Sequence, residues 1–243
     1  MRVALYVTCL VDLMRPDVGF ATLRLLESAG CTVIVPEGQT CCGQPAASAG
    51  QRAVAIALAK KAVAELEGFE RVVLPSGSCA DHLRNAYPQL LAGEPDWASR
   101  AQAVAAATRE LSQFLVECGE AFSPPGDFGG RVTYHDPCKG LRGLGIKQSP
   151  RELLARLPGL KLEEMPECEE CCGFGGAFSV KFGEVSTRIV DRKCESVAAA
   201  GAEVVAGGDL GCLLNIEGRL RRRGDETTRV LHFAELLAGE ATS

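Results

Sequence analysis

Two adjacent cysteines followed by glycine, Cys171-Cys172-Gly173, constrain this chain more than any other stretch, because the same triplet stands at Cys41-Cys42-Gly43. Side chains of neighbouring residues diverge along an extended backbone, so such a pair is poorly placed for a mutual disulfide. A bent loop turns both sulfurs toward one centre, and the glycine supplies the backbone freedom for that bend. The triplet occurs twice, at matching distances from other cysteines. This points to a duplicated unit built as a metal-cluster scaffold.

The spacings carry the duplication. Between Cys9 and Cys41 lie 31 residues (41 − 9 − 1), and between Cys138 and Cys171 lie 32 (171 − 138 − 1). Cys42 to Cys79 encloses 36 residues (79 − 42 − 1), and Cys172 to Cys212 encloses 39 (212 − 172 − 1). Val3-x-x-Tyr6-x-x-Cys9 mirrors Val132-x-Tyr134-x-x-x-Cys138, and Val72-Val73-Leu74 mirrors Val204-Val205-Ala206. The segment Glu110 to Leu115 likewise resembles His232 to Leu237. A repeat of about 125 residues is too long for a solenoid and reads as two fused copies of one α/β unit.

Each copy alternates strand and helix. In the first, strands are expected over residues 2–8, 32–35 and 71–74. Helices are expected from Pro16-Asp17 to Gly30, over 51–66, over 79–90 and through a stretch including Arg109–Glu117. The run Ser123-Pro124-Pro125-Gly126-Asp127-Phe128-Gly129-Gly130 reads as a linker. Beyond it, strands are expected at 131–134, 160–165, 203–206 and near Val230. Helices are expected from Ser149-Pro150, over 184–199 and 212–222, and through Leu236-Leu237. The expected class is α/β: two tandem pseudo-symmetric Rossmann-like units with parallel sheets. The first domain covers 1–122 and the second 131–243, with 123–130 between them.

In parallel sheets every strand-to-helix loop opens at the carboxyl ends of the strands, where such folds bind ligands. The first cysteine, the adjacent pair and the last cysteine of each half all fall in such loops, so residues about 30 apart can meet. Four sulfurs per half is the usual complement for an iron–sulfur cluster. The candidate ligand sets are Cys9, Cys41, Cys42, Cys79 and Cys138, Cys171, Cys172, Cys212. Cys31, Cys118 and Cys194 fall within expected helix or strand and read as small buried hydrophobes. Cys168, three residues before Cys171, has ligand spacing and is an alternate ligand. Cys79-Ala80-Asp81-His82 and His135-Asp136-Pro137-Cys138 keep zinc in one half open as the alternative metal.

Twelve cysteines favour metal or redox chemistry over a disulfide framework only in a reducing compartment, and the sequence points there. The apolar run at the N-terminus is too short for a signal peptide, and no stretch reaches the roughly 18 apolar residues of a membrane span. The expected location is cytoplasmic, with any attachment to the inner face of the membrane left to partners. A net charge of −5 gives no electrostatic reason to bind nucleic acid, and Arg219, Arg221, Arg222 and Arg223 read as a solvated helix face. The glycine stretches at 140–145 and 173–176 do not fit the dinucleotide fingerprint, and no G-x-S-x-G is present.

With these residues in view, both halves resemble the cysteine-rich CCG domain found in heterodisulfide reductase and in the iron–sulfur subunit of glycolate oxidase. The whole chain is similar to the lactate utilization protein A family, which consists of two such domains. Pro75-Ser76-Gly77-Ser78-Cys79 and His135-Asp136-Pro137-Cys138 match that family's versions of the motif. The resemblance implies an iron–sulfur subunit, with one 4Fe–4S cluster per half, in a complex that oxidises L-lactate to pyruvate without nicotinamide. It implies as partners a ferredoxin-like iron–sulfur subunit and a third small protein, and as substrate a small hydroxy acid. A thiol–disulfide oxidoreductase subunit of the heterodisulfide reductase kind and a glycolate oxidase-type subunit are the alternatives. The fullest CCG motif ends in Cys-x-x-Cys, whereas this chain has Ser76-x-x-Cys79 and Asp209-x-x-Cys212. Either Ser76 or Asp209 supplies a fifth, oxygen ligand or each half holds an ordinary four-cysteine cluster, and four cysteines per half favour electron relay over disulfide cleavage. Were lactate handled here, His135 would be the base and Arg142 or Lys139 the carboxylate anchor. The competing role for His135 and Arg142 is to tune the cluster sulfurs as hydrogen-bond donors.

Overall fold

A computed structural model of the chain describes residues 1–240 and divides it into two compact units, Met1–Phe122 and a second beginning at Ser123. The first unit holds a four-stranded parallel sheet: β1 (Arg2–Leu5), β2 (Thr32–Ile34), β3 (Arg71–Leu74) and β4 (Thr108–Glu110), in the order β2-β1-β3-β4. The second holds β5 (Arg131–His135), β6 (Lys161–Leu162), β7 (Val204–Gly207) and β8 (Arg229–His232), in the order β6-β5-β7-β8, also parallel. The α/β class with two similar halves is therefore the observed one. Parallel strands cannot be joined by tight turns, so each connection crosses over through helix.

The core sits on the two central strands of each sheet. Val3, Ala4 and Leu5 on β1 and Val72, Val73 and Leu74 on β3 are buried, as are Val132–His135 on β5 and Val204–Gly207 on β7. A strand covered on both faces is apolar without alternation, which is why these runs were legible. The edge strand β2 leaves Thr32 and Ile34 exposed. Against the first sheet, helix Pro16–Ser28 buries Val18, Ala21, Leu25 and Leu26, and helix Arg52–Leu66 buries Ala55, Ala59, Ala62, Val63 and Leu66. In the second unit, helix Gly183–Ala200 buries Val190, Lys193, Cys194 and Val197.

Several expectations are corrected. β1 stops at Leu5, and Cys9 opens a helix, Cys9–Met14, after Thr8 turns the chain at φ 72°. Thr108–Glu110 is strand β4, not part of a helix. Its polar residues lack a strand pattern, and the β3 ladder overrides their local preference. The strand expected over 160–165 is only two residues long, as befits an edge. The helix expected over 79–90 is broken into Gly77–Asp81, a wide π turn at His82–Ala86, and Tyr87–Leu90, which accommodates Pro88. Cys194 is buried within its helix, but Cys31 and Cys118 are only half-buried and lie just outside regular elements. Residues 123–130 form no regular element; the Gly126 amide donates to the Leu237 carbonyl at 2.8 Å, fastening this segment to the second unit.

Candidate metal centre

All eight candidate cysteines lie at the carboxyl ends of strands. Cys9 and Cys138 are the first residues of the helices that follow β1 and β5. Cys79 and Cys212 are each the third residue of the helix that follows β3 and β7. The adjacent pairs occupy the loops after the edge strands β2 and β6. These loops are tied to the ends of the central strands. In the first unit Gln39 Oε1 accepts from the Val7 amide at 2.8 Å; in the second the Cys168 carbonyl accepts from the Asp136 amide at 3.1 Å.

The bend at each pair is set by the glycine, with φ 87° at Gly43 and 84° at Gly173, a conformation that side chains oppose. The helix facing each loop leaves little room: a Cβ on Gly43 would lie 3.3 Å from Leu58 Cβ, and one on Gly173 would lie 2.7 Å from the Ser186 carbonyl. The carbonyl of the second cysteine is held in both units. Tyr87 Oη donates to Cys42 O at 2.8 Å, and Asn215 Nδ2 donates to Cys172 O at 2.8 Å.

The thiols meet. Cys42 Sγ lies 3.3 Å from Cys79 Sγ, and hydrogen bonds link Cys9 to Cys41 and Cys41 to Cys42. The second unit repeats the chain of contacts: Cys138 to Cys171, Cys171 to Cys172, Cys172 to Cys212. One thiol of each quartet ionises readily. Cys41 is pulled down to about 2 by hydrogen bonds from Cys42 and Cys9, and Cys171 to about 2 by hydrogen bonds from Cys138 and Cys172. The Gly173 amide adds a bond to Cys171 Sγ at 3.3 Å. The partners move the other way. Cys9 and Cys138 are raised by hydrogen bonding to Cys41 and Cys171 and then by burial; Cys42 and Cys172 are raised by hydrogen bonding to Cys41 and Cys79, and to Cys171 and Cys212, and then by burial. At Cys212 a hydrogen bond from Cys172 lowers the pKa, but burial and the Asp209 carboxylate outweigh it. Four thiolates so close repel one another, so full deprotonation of a quartet calls for a multivalent cation at its centre. An all-sulfur donor set suits iron–sulfur clusters and zinc.

The other expected residues fall around these quartets. Ser76 caps helix Gly77–Asp81, its Oγ accepting from the Cys79 amide at 3.3 Å. Asp209 is buried, and its carboxylate raises both Cys138 and Cys212. Cys168 is not joined to the thiol chain by hydrogen bonds; its Sγ lies 3.3 Å from Lys147 Nζ. His135 is wholly buried, and burial and then Lys193 lower its pKa to about 3. Arg142 and Lys139 are exposed, and Arg142 lines an open cleft of about 450 Å³ with Glu167, Cys168, Glu169 and Glu170. Arg219 pairs with Asp191 at 2.7 Å and Arg223 with the same carboxylate at 3.0 Å, so this basic run is joined to the neighbouring helix.

Sequence reasoning missed two charged features of the second unit. Asp136, fully buried, accepts from Arg151 at 2.8 and 3.0 Å and from Lys147 at 2.7 Å. Burial raises its pKa, but these cations win and hold it below the ordinary carboxylate value. Lys193, 1% exposed, is bonded to the Glu167 and Cys168 carbonyls at 2.5 and 3.4 Å. Its signal was present: with Val190, Cys194 and Val197 it forms an i, i+3, i+4, i+7 stripe, the one charge on an apolar face.

Comparison with known proteins agrees with this architecture. The cysteine-rich domain model named CCG matches residues 3–84 and 132–217. The chain is 46% identical over 237 residues to lactate utilization protein A of Geobacillus kaustophilus, covering 98% of each chain. It is 45% identical to the protein of that name from Halalkalibacterium halodurans, covering 98% of this chain and 96% of the other. Among solved structures, a hypothetical protein from Helicobacter pylori shares the fold, with a TM-score of 0.57 at 15% identity over 97% of this chain and 48% of that one. In the described residues no helix is long and apolar enough to cross a membrane. With two matched copies of the cysteine-rich domain and full-length similarity to these relatives, the chain belongs to the lactate utilization protein A family.

Proposed function

We propose that this chain is an iron–sulfur subunit of a cytoplasmic complex that oxidises L-lactate to pyruvate without nicotinamide, and that it carries electrons while a partner handles the substrate. The supporting observation is the convergence of four thiols at the strand ends of each unit. Cys42, Cys172 and Cys212 are buried while Cys171 reaches solvent and the others are half-buried, so each centre would be held firmly yet lie near the surface. Cys9, Cys41, Cys42 and Cys79 would hold one cluster and Cys138, Cys171, Cys172 and Cys212 the other. Bound there, a 4Fe–4S cluster supplies one-electron transfer.

The surrounding residues support relay over substrate chemistry. Oxidation of lactate releases two electrons and two protons, so some base must take the hydroxyl proton. His135 is sealed from solvent and a weak base at neutral pH, given a pKa near 3. Arg142 shares its cleft with three glutamates, a setting that repels a carboxylate. We assign hydroxy-acid binding instead to the partners that the family implies, a ferredoxin-like iron–sulfur subunit and a third small protein.

Anaerobically purified protein should contain iron and acid-labile sulfide. Cys42→Ser and Cys172→Ser should each remove about half of both, and the double variant nearly all, since each residue serves one quartet. Zinc without sulfide, or iron unchanged in either single variant, would refute this assignment.

A further inference from the structure

Tyr6 and His135 occupy the same place in the two units, three residues before the first cysteine of each quartet (9 − 6 and 138 − 135). Their surroundings differ. Tyr6 Oη donates to the Thr40 carbonyl. His135 is completely buried, and neither Nδ1 nor Nε2 makes a geometrically sound hydrogen bond. Leaving a buried polar group unsatisfied costs about 1–3 kcal/mol, so a buried imidazole in that condition calls for a partner of another kind. A ring nitrogen of His135 and the sulfurs of Cys172 and Cys212 all lie within 4.8 Å of one another.

We propose that His135 is a fifth protein ligand, through nitrogen, of the metal centre in the second unit, while the first unit's centre is held by sulfur without histidine. The proposal rests on the iron–sulfur reading above. Metal–sulfur and metal–nitrogen bonds of about 2.3 and 2.0 Å set neighbouring donors about 3.5–3.8 Å apart, so only a modest inward closure separates this trio from coordination geometry. A metal-bound imidazole requires an acceptor for its other N–H, and the Cys168 carbonyl is close enough to act on the ring.

A second asymmetry separates the two units. Gly43 packs on Ala55 and Leu58, and Gly173 packs on Ser186 and Ile189, an offset of 131 residues in both cases (186 − 55 and 189 − 58). The same offset aligns the buried Lys193 with Ala62 (193 − 131), a small apolar residue. Lys193 brings positive charge to the second centre alone, which favours that centre's more negative, reduced state, so the second unit holds the more oxidising of the two.

The test uses the full-length chain, purified anaerobically, with Cys41→Ser/Cys42→Ser to silence the first unit and ¹⁵N-histidine incorporated. Iron and sulfide are measured first. Pulsed electron paramagnetic resonance in the paramagnetic redox state should then show a strong nitrogen coupling that changes with the label. The coupling should disappear on adding His135→Phe. The reciprocal Cys171→Ser/Cys172→Ser chain should show no histidine coupling. An iron-loaded second unit without histidine coupling overturns this inference alone, and so does equal coupling in both reciprocal chains. A chain that holds no iron overturns the iron–sulfur reading and this inference with it. The labelled chain with His135 intact decides the matter even if His135→Phe fails to fold.

Discussion

Gly43 and Gly173 are duplicated positions with the same backbone conformation and different neighbours, which makes them a matched pair for testing how the cysteine loops are held. Alanine at either must adopt φ of 87° or 84°, costing about 1–2 kcal/mol in the left-handed region. At position 43 the new methyl meets Leu58 Cβ at 3.3 Å and the Ala55 carbonyl at 3.5 Å, contacts that a small shift relieves. At 173 it meets the Ser186 carbonyl at 2.7 Å and Ile189 Cβ at 3.2 Å. Ser186 is in helix Gly183–Ala200, so that carbonyl cannot retreat without disturbing the turn. Overpacking of this kind costs about 1–3 kcal/mol more. Gly43→Ala should therefore lose about 1–2 kcal/mol and Gly173→Ala about 2–5 kcal/mol. Urea unfolding of the full-length metal-free chain separates them. Trp97, the sole tryptophan, lies in the first unit, so its fluorescence follows that unit, while far-ultraviolet circular dichroism follows both. Gly43→Ala should shift the tryptophan transition and Gly173→Ala only the remaining dichroism change. Equal losses, or a Gly173→Ala chain as stable as wild type, would refute the claim that helix Gly183–Ala200 clamps the second loop.

Two further substitutions probe the second unit. Asp136→Asn leaves Lys147 and Arg151 without their buried counter-charge, and denaturant unfolding should record a loss of about 3 kcal/mol; a loss below about 1 kcal/mol would show that Glu164 and Glu169 suffice. Asp225 is held below the ordinary carboxylate pKa, first by the Thr228 hydroxyl and then by the Thr228 and Thr227 amides. A depressed native pKa gives stability that is present above the unfolded value of about 3.9 and lost as pH falls below it. The urea midpoint of wild type should therefore drop more steeply than that of Asp225→Asn between about pH 5 and pH 3, and parallel slopes would rule the carboxylate out.

The legible parts of the fold were those where one physical demand dominates. Fully buried central strands such as Val72-Val73-Leu74 must be apolar throughout, and Pro16-Asp17 fits the start of a helix with Asp17 in its first turn. The eight cysteines were legible because parallel topology sends every strand-to-helix connection to the same edge of the sheet. β4 was not, because Thr108, Arg109 and Glu110 carry no strand pattern; Glu110 is there partly to cap the next helix, accepting from the Ser112 amide at 2.8 Å. His232 does the same after β8, which explains why the two tails looked alike. Nor could spacing reveal that Asp136, two residues before a cysteine, would be met by Lys147 and Arg151 from the next helical segment, since that pairing depends on tertiary placement.

The two units share a backbone plan, and this separates what the plan requires from what one unit adds. Holding the carbonyl of the second cysteine is a requirement, because both units do it, with Tyr87 in one and Asn215 in the other. Buried charge is not. Counted from the first cysteine, Val7 stands where the second unit has Asp136; counted from the residues that pack on the loop glycines, Ala62 stands where it has Lys193. The first unit folds on the same topology with apolar residues at both positions, so neither charge is needed to build the sheet or its helices. A buried ion pair seldom improves on well-packed apolar side chains, and a buried lysine held only by carbonyls is costlier still. Charges that the shared fold can do without, gathered behind Cys138, Cys168 and Cys172, are therefore best explained by what those sulfurs hold.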